Sequence, residues 1–146
     1  MIYFEDIKEG TVVELGTYYI SEEEILDFAM KYDPQPFHIN KEEAEKSMYG
    51  GLIASGWHTA SICMKLYVEA ILNKSSSLGS PGIDELRWKR PVRPGDTLSG
   101  MFTIIETKPF KKGIGIVKGK VEVKNQDGKT VMTYIGNGMF GRKDPN

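Results

Sequence analysis

"SGWHTASICMKLYVEAIL", residues 55–72, decides the fold. From Trp57 to Leu72 the only charged residues are Lys65 and Glu69, four positions apart and therefore on one face of a helix. A helix this apolar must be covered nearly all round. In a chain of 146 residues the economical cover is a sheet wrapped around it.

The strands of such a sheet are legible on both sides of the helix. Before it, "VVELGTYYI" (12–20) is β-branched and aromatic. After it come "GIDELRWKRPV" (82–92), "TLSGMFTIIETKP" (97–109), "IGIVKGKVEVKN" (114–125) and "VMTYIGNGMFG" (131–141). "RPGD" (93–96) is a tight turn, and Asp127-Gly128 in "NQDGKT" is a hairpin signal. Val117, Val121 and Val123 alternate with Lys118, Lys120, Glu122 and Lys124, a period of two with one wet face.

Two shorter helices precede the long one. "SEEEILDFAMKY" (21–32) opens with Ser21 and has Glu24 three residues on, which predicts a capping box. It should stop near Tyr32, because Asp33 precedes Pro34. "NKEEAEKS" (40–47) repeats the device with Asn40 and Glu43. Strand, two helices, a buried helix and about four antiparallel strands make an α+β fold in a single domain, residues 1–146.

Composition excludes several functions. The chain is 40% hydrophobic and 27% charged, with net charge −1. No basic excess points to nucleic acid, and no polybasic block points to a membrane surface. The single Cys63 excludes an intrachain disulfide and a Cys-rich zinc site, and its apolar neighbours predict a buried thiol. "MIYFEDIKEG" is not a signal peptide, and no run of 18 apolar residues exists, so a cytoplasmic protein is expected.

"DPQPFHIN" (33–40) is the segment most suited to chemistry. Pro34 and Pro36 fix their φ angles, so Asp33 and His38 are expected in a stiff loop that is neither helix nor ordinary strand. A carboxylate and an imidazole can share one water, one accepting its proton while the other orients it or returns a proton. Asp33 as a turn residue and His38 as a satisfied half-buried side chain fit the same letters. A metal would need a third ligand, for which His58 is the candidate. In "GGLIASGWHTAS", Gly50, Gly51 and Gly56 precede the buried helix. They either make a turn or let a ligand oxygen approach the unpaired N–H groups of the helix start.

These stretches together resemble the MaoC-like family of (R)-specific enoyl-CoA hydratases and acyl dehydratases, over nearly the whole chain. "YDPQPFHIN" supplies Asp33, Pro36 and His38 in register with the family motif, "ASGWHTASI" supplies Gly56 and Ser61, and "RPVRPGDTL" is similar to the family's late turn. The resemblance implies a hotdog fold, with an antiparallel sheet around the central helix. It implies that Asp33 and His38 are catalytic and that the Gly56 N–H takes the thioester carbonyl. Gln35 and Ser61 would be supporting residues, and Phe37 and Trp57 would line the acyl pocket. It also implies no metal and no cofactor, an acyl-CoA-type thioester substrate, and a homodimer or higher homo-oligomer. Gln35 stands where the family has Asn, Tyr32 where it has Gly, and Ser55 where it has His. Arg87, Lys89, Arg90 and Arg93 are either CoA phosphate contacts or a solvated strand edge. Two other classes share the fold. A thioesterase would want an acid on the long helix, where only Glu69 stands, and a non-catalytic thioester-binding module would have no use for the Asp33–His38 pair.

Overall fold

The computed structural model describes residues 1–146. The strands are β1 (Val12–Tyr19), β2 (Gly82–Trp88), β3 (Thr97–Lys111), β4 (Ile114–Lys124) and β5 (Thr130–Gly141). They form one sheet in the order β1-β3-β4-β5-β2, with every neighbouring pair antiparallel. The helices are α1 (Glu22–Tyr32), α2 (Pro36–Ile39), α3 (Lys41–Lys46) and α4 (Gly56–Ala70).

The sheet's inner face meets α4. Burial alternates along β4, with Val117, Val121 and Val123 inside, as the period of two requires. Leu98, Phe102 and Ile104 of β3 and Val131, Met132 and Tyr134 of β5 join them, and α4 contributes Ile62, Cys63 and Leu66 to the same cluster. Fully burying one such aliphatic or aromatic side chain stabilises by about 1.5–3 kcal/mol, so this layer is the main source of cohesion. Gly119 on β4 leaves room for the Phe102 ring, which a Cβ there would strike.

Three expectations change. First, α4 is not covered all round: Ile62, Cys63 and Leu66 are inside, but Trp57 is 57% exposed and Met64 46%. Sheet covers one side of the helix, and an apolar stripe remains open on the other. Second, the capping box is half made. Ser21 accepts from the Glu24 N–H at 3.1 Å, but the Glu24 carboxylate goes to Tyr18 and His58 instead of returning to the cap. Third, the strand expected over 82–92 is regular only to Trp88; the Lys89 and Arg90 N–H groups still donate to the Val131 carbonyl, and Pro91 has no N–H to donate.

β2 is a free edge. Six of its seven residues are exposed, and its register with β5 shifts between Asp84 and Arg87, where Glu85 has φ 53°. Such a bulge re-aims the strand just before Trp88.

Candidate active site

Asp33 terminates α1. Its N–H donates to the Ala29 carbonyl at 2.8 Å, and Pro34 forbids a further helical turn. The chain then restarts as a helix rather than a loop, which corrects the sequence expectation. Pro36 occupies the first position of α2, where its missing N–H costs nothing, and the Asn40 N–H closes the turn on the Pro36 carbonyl at 2.9 Å. One proline stops a helix and the other starts one, and together they turn Asp33 and His38 toward each other.

His38 is buried, and its Nδ1 lies 2.7 Å from the Ile53 carbonyl. A carbonyl only accepts, so Nδ1 carries the proton and donates it. Nε2 then faces Asp33 Oδ2 at 3.3 Å. Ser55 donates its hydroxyl to the same Oδ2 at 2.7 Å, and the Gln35 amide donates to Oδ1 at 2.8 Å. Burial pushes the Asp33 carboxyl up, but the Ser55 and Gln35 hydrogen bonds and the charge of His38 outweigh it. The net effect holds Asp33 below the usual carboxylate range. Asp33 is therefore ionised at neutral pH.

Asp33, Gln35 and His38 line one cleft of about 490 Å³ with Phe37, Tyr49, Gly56, Trp57, Thr59, Trp88, Lys89 and Arg90. The N–H groups of Gly56 and Trp57 have no partner within the chain, whereas His58 and Thr59 both donate to the Ser55 carbonyl. The first N–H groups of a helix point outward along its axis with the positive end of the dipole. The cleft thus holds an ionised carboxylate, an imidazole and two unpaired helix N–H groups.

Of the residues singled out in the sequence, Asp33, Gln35, Phe37, His38, Gly56, Trp57, Lys89 and Arg90 come together here. Ser61 does not: its hydroxyl donates to the Trp57 carbonyl at 2.8 Å, and it faces a separate groove beside Glu24 and His58. Arg87 and Arg93 also stay outside. Arg87 donates to its neighbour's Leu86 carbonyl and Arg93 to the Tyr49 carbonyl at 2.6 Å. His58, the third ligand considered for a metal, turns to Glu24.

Two residues that shape the site are not evident from sequence. Ser55 stands out there only as a departure from a histidine, and a serine before a helix reads as a cap; its hydroxyl caps nothing and holds Asp33. Trp88 lies on an edge strand with no signal of its own, yet its ring packs on Gly56, where a Cβ would meet it at 2.5 Å.

A family model described as "MaoC like domain" matches residues 6–126. The (R)-specific enoyl-CoA hydratase of Rhodospirillum rubrum is 34% identical over 134 residues, covering 85% of this chain and 88% of that protein. The 3-hydroxybutyryl-CoA dehydratase of Methylorubrum extorquens is 28% identical over 117 residues, 77% of this chain and 69% of that one. Among solved structures, the MaoC-like dehydratase from Rhodospirillum rubrum superposes with a TM-score of 0.90 at 35% identity, covering 98% of this chain and 99% of that one.

Proposed function

The chain belongs to the MaoC-like dehydratase family, and we propose on that premise that it reversibly hydrates a 2-enoyl thioester to the 3-hydroxyacyl thioester. One observation carries the reading. With its Nδ1–H committed to Ile53, His38 turns Nε2 toward Asp33 Oδ2 at 3.3 Å, and in the neutral form of the ring both atoms are acceptors. Two acceptors side by side are reconciled by a molecule that donates two protons, and water is the smallest. In the hydration direction the water oxygen bonds to C3 as the pair takes one of its protons. The electron pair of the double bond moves toward the thioester oxygen, and a proton is then returned to C2. The net change is H and OH added across the double bond, with no redox step.

The charge gathering on the thioester oxygen calls for donors that are already oriented. The unpaired Gly56 and Trp57 N–H groups fit that need, since such donors act chiefly in the transition state. Phe37 and Trp57 would bracket the first carbons of the acyl chain. A second, mostly apolar cavity of about 160 Å³ lies further along α4, lined by Met64, Tyr67, Ile83, Phe102 and Tyr134 among others. Trp57 and Met64 are seven positions apart, two helical turns or about 10 Å on one stripe. A tail of medium length would bridge them.

The open stripe of α4 and the free edge of β2 support a homodimer. Trp57, Met64, Ile83 and Trp88 leave apolar surface in water, and an unpaired edge invites a second strand. A hydrolase on the same fold is less favoured. The only acid of α4, Glu69, pairs with Lys65 on the exposed face, away from the cleft. The test is loss of enoyl-thioester absorbance over a panel from crotonyl to long-chain and branched CoA substrates. Hydration without release of free CoA is expected; thiol release without hydration would make the protein a thioesterase.

A further inference from the structure

A second histidine–carboxylate pair lies outside the cleft. His58, in the first turn of α4, is 4% exposed, and its Nε2 meets Glu24 Oε2 at 2.9 Å. Glu24 Oε1 accepts the Tyr18 hydroxyl at 2.6 Å. The imidazole stacks on Phe28 with ring centres 4.5 Å apart and planes only 5° from parallel. Nε2 faces a carboxylate, so it carries the proton, and Nδ1 is buried with no partner. Burial pushes this imidazole down, with Glu24 opposing, so the ring is neutral at pH 7. A leucine would fill the space without an unpaired nitrogen, but it could not donate to Glu24.

Nδ1 is closed to solvent and Nε2 is committed to Glu24, so the imidazole has no free nitrogen for a substrate. Its place in the fold is more informative. Glu24 stands in the first turn of α1 and Asp33 at its end, nine positions or about 13 Å apart. Each end is tied to the same turn of α4: Glu24 through His58, and Asp33 through Ser55. The His58 N–H donates to the Ser55 carbonyl at 3.0 Å, so the two anchor residues are one rigid unit. Tyr18 adds β1 to the assembly. Glu24 gives up its reciprocal cap on α1 to make this tie, a local cost set against a long-range constraint.

We infer that Glu24 and His58 are positioning residues: their hydrogen bond locks α1 to α4 and so sets the distance between Asp33 and its partners Ser55 and His38. The inference rests on the hydratase reading only for its kinetic consequence. Loosening the lock lets the end of α1 swing, weakening the Ser55 bond that helps keep Asp33 ionised. The groups facing Asp33 are His38, Ser55 and Gln35, none of them altered by a change at position 24 or 58.

The test compares His58→Leu, Glu24→Ala, their double variant and His58→Gln, whose amide can still donate to Glu24. Two readouts are taken: kcat and KM on an accepted enoyl thioester, and the Asp33 titration by carboxyl carbon NMR. His58→Leu and Glu24→Ala should raise the Asp33 midpoint and lower kcat about 10- to 100-fold with KM little changed, the scale of a small misplacement in an active site. The double variant should be no worse than the poorer single one, and His58→Gln should restore both readouts. An unmoved Asp33 midpoint with unmoved kcat in either folded variant overturns the inference, as does a His58→Gln that behaves like His58→Leu. If His58→Leu fails to fold, Glu24→Ala and His58→Gln decide. Should the wild type turn over no enoyl thioester, the titration still tests the lock, so failure of the hydratase reading and failure of the lock are separate results.

Discussion

Ser55 Oγ donates to Asp33 Oδ2 at 2.7 Å, so the residue at the N-cap of the long helix holds an acid 22 positions upstream instead of capping its own helix. It is the one bond that joins the two halves of the cleft, the turn after α1 and the start of α4, through side chains alone. Ser55→Ala should therefore change the chemistry more than the fold. Without this donor the Asp33 carboxyl is less depressed, and the acid limb of kcat/KM should move to higher pH. The sign for stability follows. A depressed carboxyl stabilises the fold above its unfolded pKa, and that contribution is lost as pH falls through the folded value. The variant should be about 1–2 kcal/mol less stable at neutral pH, with the gap narrowing as Asp33 protonates. Urea melts at neutral and acid pH check it; an unchanged acid limb would show that Ser55 does not tune Asp33.

Asp33→Asn keeps the shape of the side chain and removes the base. A loss of at least ~10²-fold in kcat is expected, within the usual range for general base catalysis, with a stability loss at neutral pH of about 1–2 kcal/mol, on the scale expected for Ser55→Ala. Near wild-type turnover would make Asp33 structural and move the chemistry elsewhere.

Much of this arrangement is legible in the amino-acid sequence. The apolar run of residues 55–72, the valines of 117–123 and the Asp127-Gly128 turn give helix, strand and hairpin through periodicity and turn chemistry, which act locally. The spacing of Asp33 and His38 is also local, and Pro34 and Pro36 announce rigidity. What the prolines do is not legible, because a four-residue helix leaves no periodic signal. Ser55, Trp88 and Glu24 escape notice for a common reason. Each acts on a residue at least 22 positions away, and its nearest motif (a cap, a strand, a capping box) offers a sufficient local explanation. Arg87 and Arg93 show the same limit from the other side: a run of four cations fits phosphate contacts or a solvated edge equally in the sequence, and only the path of the chain separates these two from Lys89 and Arg90.

That separation makes the carrier testable. Lys89 and Arg90 line the cleft, whereas Arg87 and Arg93 do not. Arg90→Glu should raise KM for a CoA thioester several-fold and leave a pantetheine thioester unaffected, since only CoA brings phosphates to the rim. Arg87→Glu serves as the matched control and should change neither. Equal effects of Arg90→Glu on both substrates would remove the phosphate role.

For assembly, light scattering at micromolar concentration should give at least twice the monomer mass of 16.4 kDa. Ile83 is 47% exposed on the edge strand β2, and Ile83→Lys puts a charge where a second copy would pair. The variant should shift toward monomer. A wild-type monomer would mean that the open stripe on α4 has another use.

Gly56 carries the last prediction, because two explanations for it compete. A side chain there would crowd the thioester oxygen, or it would strike Trp88, whose ring lies 2.5 Å from the place a Cβ would take. Gly56 lies at the start of a helix with no positive φ, so alanine is conformationally acceptable and only contacts matter. Trp88 is 43% exposed and packs edge-to-face on Trp57, so it has room to move, but only by shifting a wall of the cleft. Gly56→Ala should thus lower kcat and change tryptophan fluorescence together, while the fold survives on the packing of Ile62, Cys63 and Leu66 behind it. Adding Trp88→Leu removes the collision but leaves the methyl group over the helix N–H. If the double variant recovers activity, Gly56 is there to seat Trp88. If it stays impaired with the ring gone, the missing donor accounts for the loss, typically worth ~3 kcal/mol, and the thioester oxygen binds at this N–H.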